Sequence, residues 1–72
     1  MKSLFIGNKS TKVLKFMIEP IGDQYALPVG DQVRISGVSA DIEIFAWDDN
    51  RLTIWVADVV SVKRDDEEVK PI

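Results

Sequence analysis

The chain predicts a small all-β domain, and three observations carry that prediction. Apolar and polar residues alternate with a period of two through most of the 72 residues. Turn residues (Gly, Pro, Asn, Asp) interrupt that alternation at short intervals. No stretch carries the 3.6-residue apolar period of a useful amphipathic helix. The pattern fits five to seven short antiparallel strands in a small barrel or a two-layer sandwich.

The first strand is expected over residues 2–6 and the second over roughly 11–18, with Gly7-Asn8 as a tight turn of positive backbone angles between them. In the second strand Leu14, Phe16 and Ile18 share one face, and Val13, Lys15 and Met17 the other. A short duplication follows, Pro20-Ile21-Gly22-Asp23 and Pro28-Val29-Gly30-Asp31. Proline presets the second turn position and glycine suits the fourth, so both copies read as turns. Between them Gln24-Tyr25-Ala26-Leu27 is a brief strand or an extended bridge. Residues 31–36 form the next strand, Val33 and Ile35 inward and Gln32, Arg34 and Ser36 outward. Gly37 to Ala40 turns the chain toward a hairpin.

That hairpin, Asp41 to Ala57, holds both tryptophans. A three-residue loop, Asp48-Asp49-Asn50, pairs Ala46 with Leu52, Ile44 with Ile54 and Ile42 with Val56. It also places Asn50 in the left-handed region of a turn-plus-bulge loop. A two-residue loop would mix apolar and polar residues on both faces, and register follows the hydrophobic pattern. One face is then aliphatic and reads as core. The other carries Glu43, Phe45, Trp47, Arg51, Thr53 and Trp55. A bend near Ala57-Asp58 keeps Asp58 off the aliphatic face and opens a last strand, Val59 to Lys63. Residues 1–64 thus make one domain. The run Asp65-Asp66-Glu67-Glu68 repels itself, so residues 65–72 are expected as a flexible, solvated acidic tail.

Composition excludes more function than it suggests. The chain has no cysteine and no histidine, which removes disulfides, the usual zinc sites and the commonest nucleophile–base pairs. Asp48, Asp49 and the acidic tail sit where carboxylates stay solvated and ionised. No catalytic constellation assembles from them, and the expectation is a non-enzyme without cofactor or metal. The single-glycine turns, each followed by an acid, are poor phosphate loops. No stretch approaches the ~20 apolar residues of a membrane span and no signal peptide stands out, so the expected location is cytoplasmic. A domain this short, lacking staples, needs an unusually good core or a partner.

The net charge of −3 is unevenly distributed. Residues 1–18 hold four lysines and no acid, whereas all 12 acids lie beyond them. Such polarity suits intramolecular pairing, head-to-tail association or a partner that touches one end. Aromatics and arginine beside charged groups are the composition of a binding surface, so Phe45, Trp47, Trp55, Arg51 and Glu43 are the candidate binding residues. The expected partner is a protein, a second copy included. The alternative is a small barrel that stacks single-stranded nucleic acid on those aromatics, with Lys12, Lys15, Arg34 and Arg51 as its cations. Overall acidity and the lack of a basic stripe weigh against that alternative.

The segment from Ile18 to Gly30 resembles short bacterial proteins of unknown function with the pattern Glu-Pro-x-Gly-Asp/Glu-x-Tyr-x-Leu-Pro-x-Gly. Their position after Glu-Pro is often aromatic, and Ile21 stands here. The resemblance implies a bacterial β-rich domain and transfers no functional residue. Glu19, Asp23 and Tyr25 around the first proline turn read chiefly as a rigid turn with satisfied polar groups. A pocket lined by Tyr25 and Glu19 is the other reading.

Overall fold

A computed structural model of the chain describes residues 2–38, 41–58 and 60–72. Within them the regular structure is all strand: β1 (Lys2–Gly7), β2 (Leu14–Glu19), β3 (Asp23–Leu27), β4 (Gln32–Val38), β5 (Ile42–Asp48), β6 (Arg51–Val56), β7 (Ser61–Arg64) and β8 (Glu67–Glu68). They form two four-stranded sheets, β1-β4-β7-β8 and β3-β2-β6-β5. The sheets are not closed into a barrel, so of the two expected architectures the fold is the sandwich. Its core is Phe16, Ile18, Leu27, Ile35, Ile54, Val56 and Val62, each at most 2% exposed. All sit at the inward alternate positions of their strands.

One pairing departs from the expected antiparallel pattern. β2 and β6 run parallel, Lys15 opposite Arg51 through Glu19 opposite Trp55. Parallel neighbours need a long crossover, and here β3, β4 and β5 all intervene in sequence. The second strand begins only at Leu14, because residues 8–13 form a loop built on Asn8. Gly7 has no positive φ and simply ends β1.

Asn8 is 3% exposed, and every polar group it has is bonded. Its Nδ2 donates to the carbonyls of Lys12 at 2.7 Å and Leu27 at 2.9 Å. Its Oδ1 accepts from the Ser10 amide at 3.0 Å and the Ser10 hydroxyl at 2.7 Å. Its own amide donates to Asp31 and its carbonyl accepts from Gly30. The side chain therefore ties the end of β1 to the end of β3, and the backbone of the same residue ties it to the turn that opens β4.

The two Pro-aliphatic-Gly-Asp copies turn differently. The Gly30 φ of 82° and the Asp31 amide donating to the Pro28 carbonyl at 3.1 Å make Pro28 the first and glycine the third turn position. This is the place where a type II turn requires positive φ. In the first copy the Glu19–Pro20 peptide is cis, and the Gly22 amide reaches back to the Ile18 carbonyl. β4 runs on through Gly37, whose φ of 88° lets it act as a bulge opposite the Lys2/Ser3 step. The bulge turns Val38 inward, where it is 4% exposed.

The acidic stretch is the second correction. Asp65 and Asp66 make a turn, with Asp65 at φ 55°, and Glu67 and Glu68 pair with Arg64 and Lys63. The Arg64 guanidinium is ion-paired with Asp31 at 2.7 Å, and the acids are held by the backbone ladder to β7. Beyond it the Val69 amide bonds the Val62 carbonyl, the Val69 side chain packs on the core, and the Ile72 amide bonds Gln24 on the edge of β3. Residues 65–69 thus continue the sheet. Residues 57–58 form the expected bend, and the expected start of the last strand at Val59 lies outside the described residues.

Candidate binding face

The β5–β6 hairpin pairs as the side-chain pattern dictates: Ile42 with Val56, Ile44 with Ile54, Ala46 with Leu52. The extra loop residue is absorbed elsewhere than expected. Asp48 pairs with Arg51, and the register shifts between Ala46 and Asp48, so Trp47 is the bulged residue. Asn50 does not take a left-handed conformation. Its amide donates to Asp48 Oδ1 at 3.0 Å, and its carbonyl accepts the Lys15 amide at 2.8 Å. That second bond starts the parallel ladder to β2.

The hairpin's aliphatic face is fully buried only on β6, and on β5 Ile42 alone packs partly against the core. Ile54 and Val56 are buried, whereas Ile44 is 52% exposed and Ala46 is exposed as well. β5 is the edge of its sheet and overhangs the packed interior, which accounts for the difference.

On the outer face Phe45, Trp47 and Trp55 are together, 46%, 69% and 44% exposed. Thr53, 8% exposed, lies beneath Trp47 and accepts its indole Nε1–H at 2.6 Å. The bond fixes the ring and uses the one polar atom of the indole. Glu43 sits opposite Trp55, which also faces Glu19 on β2. Arg51 donates through Nε and Nη2 to Asp48 Oδ2, both at 2.9 Å. This exposed pair is a weak clamp on the loop. The Asn50 amide first, and then the Arg51 side chain, hold the Asp48 carboxyl below the ordinary aspartate range.

Beside Trp47 the sheet leaves an open cleft of about 370 Å³, lined by Lys15, Met17, Gln24, Arg51 and Thr53 among others. Lys15 and Arg51 are register partners across the parallel ladder, which puts two cations next to the indole. Met17 and Gln24 enter the site only because β2, with β3 beyond it, lies beside β6. No local pattern in the sequence reports that adjacency.

Comparison with protein-family models, with curated proteins and with solved structures returned no match. The site is therefore argued on geometry alone. Tyr25 and Glu19 do not make a pocket: Tyr25 is buried and stacks on Phe16 with centroids 5.1 Å apart, while Glu19 is paired with Trp55 on the opposite face. Burial, then the charges of Asp23 and Glu68, push the Tyr25 hydroxyl above the ordinary tyrosine range. Among the described residues no cluster of carboxylates is grouped to hold a metal ion. No helix among them is long and apolar enough to cross a membrane.

Proposed function

We propose that the protein is a non-enzymatic binding module. It engages a protein partner, a second copy included, through the outer face of the β5–β6 hairpin. The observation that carries this reading is the cluster of Phe45, Trp47 and Trp55 on one sheet face, each more than two-fifths exposed. Large exposed apolar groups beside Arg51 and Glu43 have the composition of a protein interface, and tryptophan is a frequent anchor. The Trp47–Thr53 hydrogen bond favours the same reading, because a pre-oriented ring loses less entropy on binding. A cysteine-free chain suits a reducing compartment such as the cytoplasm.

One observation favours single-stranded nucleic acid as a rival ligand, namely Lys15 and Arg51 flanking Trp47. Glu19, Glu43 and Asp48 on the same face oppose it. Sedimentation velocity over a concentration series, with wild type against Trp47→Ala and Trp55→Ala, tests the self-binding form. The expected result is reversible association above the 8.1 kDa monomer that both substitutions weaken. A monomer at every concentration would remove self-binding. Retention on single-stranded DNA at low salt, lost as salt rises, would favour the rival.

A further inference from the structure

A β-sheet edge displays unpaired amides and carbonyls, and proteins usually shorten, cover or charge such edges. The two sheets end in β1, β8, β3 and β5. β8 is two residues long, and β3 takes a hydrogen bond from the Ile72 amide. β1 and β5 are the longest of the four, and among the described residues no ladder joins one to the other. Each has a regular stretch of five residues bounded by a bulge: Ser3–Gly7 beyond the Lys2/Ser3 shift, and Ile42–Ala46 before the shift at Trp47.

These two edges are opposite in charge. Residues 2–12 contain three lysines and no acid, and residues 41–49 contain four acids and no base. They also match in side-chain pattern. Laid antiparallel with Phe5 opposite Phe45, the strands bring Ile6 opposite Ile44 and Gly7 opposite Glu43. Both phenylalanines then lie on an outer face, 61% and 46% exposed, and both isoleucines on an inner one. Past the two strands, exposed Lys9 in the loop after β1 and exposed Asp41 before β5 fall at the same end of the pairing. Glu43 meets no like charge, since glycine opposes it.

We propose that the β5 edge of one copy receives the β1 edge of a second copy in this register. The join extends β3-β2-β6-β5 by the partner's sheet. This inference concerns the β5 edge; it shares Phe45 with the aromatic face but does not use Trp47 or Trp55, so either can fail without the other. Each copy offers one donor and one acceptor edge, so the contact is head-to-tail and either closes into a ring or continues.

The chain has no cysteine, which makes single-cysteine variants clean reporters. Phe5→Cys and Phe45→Cys, mixed and exposed to mild oxidation, are expected to give a mixed disulfide dimer far above that of Phe5→Cys mixed with Val29→Cys. Val29 is comparably exposed, at 53%, on a turn. Lys9→Glu and Asp41→Lys should each lower association in sedimentation, and the double variant should restore it. Trp55→Ala lies one strand in from the edge and should leave the cross-link unchanged. A cross-link that survives Trp55→Ala while partner binding at the face is absent would support the edge and sink the face. Mixed disulfide at the level of the Val29→Cys control would overturn the edge proposal, as would charge variants without effect.

Discussion

Asn8 and Trp47 are the two residues most out of place by their polarity, and the chain treats them in opposite ways. Asn8 is a polar side chain with 3% exposure, surrounded by enough donors and acceptors to fill all its bonding positions. Trp47 is one of the two largest apolar side chains and is 69% exposed, with its only polar atom bonded to a buried threonine and its ring in solvent. A buried polar group without partners costs about 1–3 kcal/mol, so Asn8 is explained completely by the loop it organises. Nothing in the fold requires a tryptophan at Trp47. The contrast separates a residue whose surroundings are complete from one whose surroundings are not, and it is the reason the proposed binding face is placed on the hairpin.

The comparison breaks if the two residues respond alike to mutation. Asn8→Ala removes four side-chain bonds and takes the Asn8 side-chain amide from the Leu27 carbonyl, while the Lys12 carbonyl retains the Ser10 hydroxyl as a donor. We expect a loss of about 3 kcal/mol, read as a lower urea midpoint at unchanged slope. Thr53→Val keeps the shape beneath the indole and removes the acceptor of the Trp47 bond. About 1 kcal/mol of stability should go, and tryptophan anisotropy should fall as the ring is released. Trp47→Ala should cost about 1 kcal/mol of folding stability, since the ring lies largely in solvent and gives up chiefly its bond to Thr53, yet about 2 kcal/mol or more of partner binding. If Trp47→Ala destabilised the fold as much as Asn8→Ala, the ring would be structural and the contrast would be lost.

The smallest effect concerns pH. The folded Asp48 carboxyl titrates below its unfolded counterpart, so the ionised form favours the fold. Its contribution is present above the ordinary aspartate range and fades as pH falls through the lowered value. Asp48→Asn should therefore flatten the acid side of a stability-against-pH curve, measured by urea midpoints. At the alkaline end the sign reverses for Tyr25. Its raised hydroxyl contributes below the ordinary tyrosine value and loses that contribution as pH climbs through the raised one, so Tyr25→Phe should flatten the alkaline side.

How much of this was legible in the sequence depends on distance along the chain. The hairpin register was legible because Ile42, Ile44, Leu52 and Ile54 alternate with polar and aromatic residues, and only one pairing leaves a face purely aliphatic. The position of the bulge was not, since Asn50 and Trp47 both satisfy the count and the Lys15 amide at the Asn50 carbonyl decides between them. The parallel β2–β6 ladder joins residues about 36 apart, so no local periodicity reports it, and the Lys15–Met17 side of the cleft was invisible with it. Asn8 read as a turn residue because its partners Leu27 and Asp31 are distant in sequence. The acidic run read as a tail because self-repulsion is local, whereas the backbone ladder that sets Lys63 opposite Glu68 and Arg64 opposite Glu67 exists only once the strand folds back.

Trp47 and Trp55 are the only tryptophans in the chain, so intrinsic fluorescence observes the proposed face and little else. The decisive measurement is acrylamide quenching of that emission across the concentration range in which sedimentation detects association. Open quenching and long-wavelength emission are expected for the dilute protein. Both should give way to a blue shift and protection as the partner copy covers the rings. Emission and quenching that stay constant while the mass rises would place the contact elsewhere and contradict the aromatic face as the binding surface.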